Sequence, residues 1–157
     1  MPDFLIIFCA KYLLYIIAIA LAVYWLRSPR VERLEFAATV AAALVLAYGV
    51  ARLAGLFFSH IQPFAAVGFE PLIPHEVDNS FPSDHTTLAA ALAAIAGLYN
   101  RGFGVLLWVL AVCVAAGRML AGLHYPVDVI AGILIGGLAA VVASYCVHLY
   151  FSARSHT

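Results

Sequence analysis

Apolar residues run along this chain in long blocks, without the short apolar and polar alternation of a soluble fold. Four stretches reach the roughly 20 mostly apolar residues that a membrane-spanning helix needs. They are Phe4 to Leu26, Phe36 to Phe58, Gly102 to about Leu120, and Val127 to Phe151. A further stretch, Thr86 to Tyr99, is shorter. It becomes long enough if its helix begins at Ser83 and its first-turn polar residues face a protein-lined cavity rather than lipid. The pattern predicts an all-α fold, a single polytopic membrane bundle of about five helices over residues 1–157.

Composition agrees and narrows the function. Of 157 residues, 66% are apolar and 10% charged, and eight Lys and Arg balance eight Asp and Glu. No basic field exists to hold nucleic acid. Charge is costly in hydrocarbon, so each charged position needs a reason. The first block lacks a basic leader, is interrupted by Lys11 and exceeds a signal-peptide core in length, so it reads as a retained anchor. Arg27, Arg30 and Arg33 crowd the first connection, Arg101 lies in the third and Arg154 follows the last helix, which assigns those places to the cytoplasmic side. The amino terminus is then outside, and the outer connections are Ser59 to Pro82 and Arg118 to Pro126. Around them gather His60, Gln62, His75, Asp78, Ser83, Asp84, His85, Arg118, His124 and Asp128.

Other features carry less. Cys9, Cys113 and Cys146 sit in apolar helices without CxxC spacing and read as small buried hydrophobes. Ala and Gly abound in Leu88 to Gly97 and in Ala131 to Ala143, which lets helix backbones approach closely. Glu70, Glu76 and Asp78, with His75, make the long outer loop mildly acidic, as a solvated lid would be.

Two motifs carry chemistry. Pro82-Ser83-Asp84-His85-Thr86-Thr87 precedes an Ala-rich run, so Ser or Asp caps a helix whose first-turn N–H groups form an anion site. In His124-Tyr125-Pro126-Val127-Asp128, Pro126 suits the first position of a helix, and His124 and Asp128 lie four apart. At that spacing the carboxylate can accept a hydrogen bond from one imidazole nitrogen while the other presents its lone pair outward, which is the logic of an activated nucleophile. A structural His and Asp pair at the interface is the plainer reading, but it leaves Arg118 and the second His motif unexplained. Together these residues suit phosphoryl transfer without a metal. There is no HExxH, no acid-rich ligand set and no Cys contribution, so neither zinc nor another cofactor is expected.

These residues resemble the type-2 phosphatidic acid phosphatase superfamily of membrane lipid phosphatases. Pro82-Ser83-Asp84-His85 resembles its PSGH motif, and Arg118, His124 and Asp128 match SRxxxxxHxxxD at the family spacing, with Gly117 in place of Ser. FPSDHTT and SHxQPF are similar to the bacitracin-resistance type of undecaprenyl pyrophosphate phosphatase. The resemblance runs from about residue 52 to 132. In the first family motif, KxxxxxxRP, Gln62-Pro63 stands for Arg-Pro and Gly55 for Lys, so two cations are missing. Arg52, one turn deeper on the Gly55 face, is a candidate replacement. Lys11, at similar depth, is a second candidate, or it snorkels to the outer interface.

The resemblance implies that His124 attacks phosphorus to form a phosphohistidine, Asp128 orients it and His85 protonates the leaving oxygen. Arg118, Ser83, the helix-start amides, Arg52 and Gln62 would hold phosphate. Asp84 would turn outward, cap its helix or pair with a cation, and His60 would line the pocket or rest at the interface. The implied substrate is undecaprenyl pyrophosphate, at the outer face of a bacterial inner membrane. Phosphatidylglycerophosphate or phosphatidate is the alternative substrate, and an ion-coupled transporter the alternative class.

Overall fold

The computed structural model describes residues 2–154. Its helices are α1 (Pro2–Lys11), α2 (Leu13–Arg27), α3 (Arg30–Phe57), the short α4 (Pro63–Val67), α5 (Asp84–Tyr99), α6 (Arg101–Leu120) and α7 (Pro126–Arg154). Among the described residues α3, α6 and α7 are long and apolar enough to cross a membrane, and α1 with α2 makes a fourth span if the bent pair is one.

The first apolar block is thus not one straight helix, because it breaks at Tyr12 with a bend of 47°. The two halves share α6, but their other partners differ. α1 lies on α6 alone of the later helices, whereas α2 lies on α3, α5 and α6. The approach of α1 to α6 is close: a Cβ added at Gly117 would stand 2.7 Å from the Ala10 nitrogen. Packing therefore explains Gly117 where the family motif has Ser.

α5 is the axis of the bundle, against α2, α3, α6 and α7. Its 16 residues rise about 24 Å, short of the roughly 30 Å hydrocarbon layer. The deficit is tolerable because other helices sheathe it, and nine of those residues are buried. Ala dominates that set, from Ala89 to Ala96. Small residues on α7 meet it: a Cβ at Gly136 would fall 2.2 Å from the Thr87 carbonyl oxygen, so only Gly permits this helix separation.

At the end of the bundle where α2 meets α3, the Arg33 guanidinium donates to the Ser28 and Leu26 carbonyls, at 3.0 and 2.5 Å, and so satisfies the open end of α2. Glu35 and His148 pair at 3.1 Å, tying α3 to α7. Cys146 is exposed on α7, and Cys9 and Cys113 are only partly covered, so none is the fully buried hydrophobe expected.

Candidate active site

The opposite end of the bundle holds the polar residues. A loop from Gly68 to Ser83 folds back over the end of α3 and across the α6–α7 connection. Main-chain bonds stitch it down: Ser80 N–H to the His60 carbonyl at 2.8 Å, Leu72 N–H to the Ala121 carbonyl at 3.3 Å, and Ser83 N–H to the Asp128 carbonyl at 3.2 Å. Gln62 is buried there, and its Oε1 accepts from the Asp78 N–H at 2.8 Å. Asn79 clasps α3 by donating to the Gly55 carbonyl at 3.0 Å. A Cβ at Gly55 would lie 3.0 Å from the Phe81 carbonyl oxygen and 3.2 Å from Asn79 Nδ2. The position that holds Lys in the family motif is here covered by loop main chain.

Under the loop lies a cavity of about 190 Å³, with Arg118, His124 and His85 on its wall beside Pro82 and Asp84. Arg52, Gln62, His75, Asp78 and Asn79 complete it. Eight residues noted in the sequence thus share one cavity: Arg52, Gln62, His75, Asp78, Asp84, His85, Arg118 and His124.

His124 is held in one tautomer by its neighbours. Nδ1 lies 2.9 Å from the Ser80 carbonyl oxygen, which can only accept, so Nδ1 carries the proton. Nε2 lies 3.2 Å from an Arg118 guanidinium nitrogen, which can only donate, so Nε2 carries a lone pair. That lone pair is the nucleophilic one.

Asp128 stands behind this pair, fully buried, with Oδ2 3.6 Å from His124 Nδ1. The expected direct hydrogen bond is therefore displaced to the Ser80 main chain. The reason is that Oδ2 is already taken: it accepts from Ser80 Oγ at 2.5 Å and from the Tyr125 N–H at 2.8 Å. The latter bond is half of a capping box, in which the third residue of α7 reaches back to the residue before Pro126. The other oxygen, Oδ1, faces His60 Nε2 at 2.9 Å, in ion-pair range but off the hydrogen-bonding direction.

Arg118 is 5% exposed, and its Nε has no hydrogen-bond acceptor within the protein. A buried guanidinium donor without an acceptor is costly, and an anion in the cavity would satisfy it. His75, on the loop, is pushed below the ordinary histidine range by burial, then by the charges of Arg118 and His124, against the weaker pull of Asp78 and Glu76. The first turn of α5, at Asp84 and His85, opens beside these residues with N–H groups that have no intrahelical acceptor.

The remaining residues lie as follows. Arg52 pairs with Asp84, and its guanidinium stands 5.2 Å from the centre of the Tyr48 ring. Asp84 thus pairs with a cation, one of its three expected roles. Ser83 is buried with Oγ turned to Thr86 Oγ1 at 3.1 Å, and it is not part of the cavity wall. Lys11 also lies off that wall, exposed at the α1–α2 break with its ammonium 5.5 Å from the Tyr12 ring. Ser80, Asn79 and the Tyr125 N–H were not singled out in the sequence, because their parts depend on loop closure and main-chain atoms, and His75 was read only as part of the outer loop.

The arrangement coincides with a family relationship. The profile of the PAP2 superfamily matches residues 36–151. The chain belongs to the PAP2 superfamily. Among PAP2-type relatives, bacitracin transport permease protein BcrC of Bacillus licheniformis is 42% identical over 135 residues, covering 85% of this chain and 66% of that protein. Undecaprenyl-diphosphatase BcrC of Bacillus subtilis (strain 168) is 32% identical over 141 residues, covering 85% of this chain and 68% of that protein. The chain therefore spans about two thirds of the length of these relatives. Aquifex aeolicus LpxE, a solved structure, shares the fold with a TM-score of 0.67 at 24% identity, over 88% of this chain and 80% of that one.

Proposed function

We propose that this PAP2 chain is a membrane phosphatase that hydrolyses undecaprenyl pyrophosphate to undecaprenyl phosphate and inorganic phosphate. The observation that carries the reading is the pairing of a bare His124 Nε2 with a buried Arg118 guanidinium short of one acceptor, beside His85 in one cavity. Undecaprenyl-diphosphatase among the relatives supports the substrate.

In the first step His124 Nε2 attacks the terminal phosphorus, and a P–N bond forms as the bond to the bridging oxygen breaks. His85 gives a proton to that oxygen, and the lipid monophosphate leaves. The imidazole becomes cationic while its Nδ1–H stays on the Ser80 carbonyl, with the Asp128 carboxylate behind it. Arg118 transfers its hydrogen bond from Nε2 to the phosphoryl oxygens, whose charge its Nε also meets. Water, deprotonated by His85, then attacks phosphorus and releases phosphate, restoring Nε2. No step calls for a metal.

The site faces the exterior of a bacterial inner membrane in this reading. Arg27, Arg30, Arg33, Arg101 and Arg154 lie at helix ends remote from it, as the positive-inside rule asks.

Purified protein in detergent with EDTA is expected to release phosphate from a polyprenyl diphosphate, and His124→Ala to lower the rate about 10³-fold or more. Undiminished phosphate release by His124→Ala overturns the phosphohistidine. Faster cleavage of phosphatidate than of the diphosphate overturns the substrate.

A further inference from the structure

A second cavity, of about 570 Å³, adjoins the first and runs along the outer half of α3. The two share Arg52, Asp78 and Asn79. Leu53 and Leu56, both largely exposed on this membrane-spanning helix, form its apolar wall, and Gly49 leaves the groove open with nothing within 4 Å of an added Cβ. Arg52 is the one Arg or Lys on the wall of this groove, and its partner Asp84 belongs to the wall of the first cavity. Asp78 adds a second carboxylate, held by the N–H of Asn79 at 2.6 Å.

From this placement we infer that the groove receives the proximal phosphate and first isoprenoid unit of a lipid diphosphate, and that Asp84 competes with that phosphate for Arg52. The inference rests on the proposed diphosphatase reading. With a terminal phosphoryl group at His124 and Arg118, the lipid tail has to leave the smaller cavity for the bilayer, and the second phosphate, one bridging oxygen away, lies on that path. The shared wall at Arg52 offers both a cation and an apolar exit toward lipid. The resting cation is neutralised by Asp84, which stands at the start of α5, where the helix dipole stabilises a carboxylate left without its partner. An arriving diphosphate takes Arg52 from Asp84. After transfer, Asp84 retakes Arg52 and weakens the hold on the departing lipid monophosphate. Asp84 is thus a positioning residue acting through Arg52, and a monophosphate substrate gains little from either.

The test uses the full chain in detergent, with farnesyl diphosphate and phosphatidate as substrates and farnesyl monophosphate as product inhibitor. Arg52→Gln is expected to lower kcat/KM for the diphosphate 10- to 100-fold and for phosphatidate less than about 3-fold, with Arg52→Lys recovering most of the loss. Asp84→Asn is expected to tighten product inhibition about 3- to 10-fold with a lower KM for the diphosphate. Melting temperatures within a few degrees of the parent establish that each variant is folded; Arg52→Lys and Asp84→Asn keep the side-chain size if Arg52→Gln is not. Equal losses on both substrates in Arg52→Gln, or an unchanged product inhibition constant in Asp84→Asn, overturn the inference while leaving the diphosphatase reading intact. A parent protein that releases no phosphate from the diphosphate overturns both.

Discussion

Ser80 touches both halves of the nucleophilic pair. Its carbonyl accepts a hydrogen bond from His124 Nδ1–H and its hydroxyl donates to Asp128. Substitution by Ala keeps the carbonyl contact, removes the hydroxyl with its bond to Asp128 and its longer approaches to His124 Nδ1 and the Leu123 carbonyl, both 3.4 Å, and strands part of a fully buried carboxylate. Ser80→Ala is expected to cost about 1–3 kcal/mol of stability, read as a lower midpoint of thermal unfolding in detergent. Its kcat is expected to fall far less than in His124→Ala, because the main-chain acceptor stays. A fall as large as that of His124→Ala would mean that Asp128, and not the Ser80 carbonyl, holds the ring. At this scale motif spacing singled out His85, Arg118 and His124, which share the cavity, and Asp128, which stands behind it, while Arg52, also on the cavity wall, was singled out by its position one turn from Gly55. The sequence did not reach Ser80, whose decisive atom is a carbonyl oxygen that every residue type possesses. It also gave Ser83 a phosphate contact, since a hydroxyl at a helix start looks alike whether it turns toward the cavity or, as here, toward Thr86.

At the scale of elements, the spacing of α5 and α7 depends on glycine. Gly136→Ala is expected to lower stability by about 1–3 kcal/mol, since its Cβ would stand 2.2 Å from the Thr87 carbonyl oxygen and the helices would have to separate. Gly49→Ala, with open space around it, is expected to raise stability by about 0.5–1 kcal/mol through helix propensity alone. Thermal unfolding of the two variants in one detergent compares them, and similar shifts would show that the α5–α7 approach is not tight. The apolar blocks fixed helix existence well, because 20-residue runs have no other stable form in a bilayer. They did not reveal the break at Tyr12. That bend accompanies the contacts α2 alone makes with α3 and α5, and Lys11 is the one break in the apolar run beside it. They likewise left α4 hidden, a single turn started by Pro63 within what reads as loop.

For the whole molecule, the polar cavity and the arginine-rich helix ends lie at opposite poles. In a cysteine-free background, Val77→Cys on the outer loop is expected to react with a membrane-impermeant maleimide in intact cells. Val31→Cys, at the start of α3, is expected to react only after permeabilisation. Both side chains are well exposed, so reactivity reports the side of the membrane. The reverse pattern would turn the site to the cytoplasm. Charge distribution made the separation of the two poles readable from sequence, because the five arginines recur after every second crossing. The cavity itself was not readable in depth or shape. It is closed by a loop whose grip on α3 depends on Asn79 meeting the bare main chain of Gly55.

The acceptor that fixes the nucleophile's tautomer has a consequence for how this protein tolerates change. A side-chain orienter can be erased by one codon substitution, whereas the Ser80 carbonyl persists whatever residue is encoded there. Only a change that moves the loop can remove it, such as one at Asn79 or Gly55. Mutational fragility is thereby transferred from the Ser80 side chain to the residues that keep the loop closed, Asn79 beside it and Gly55 on α3, so a screen for inactive variants would find positions whose side chains touch no reacting atom.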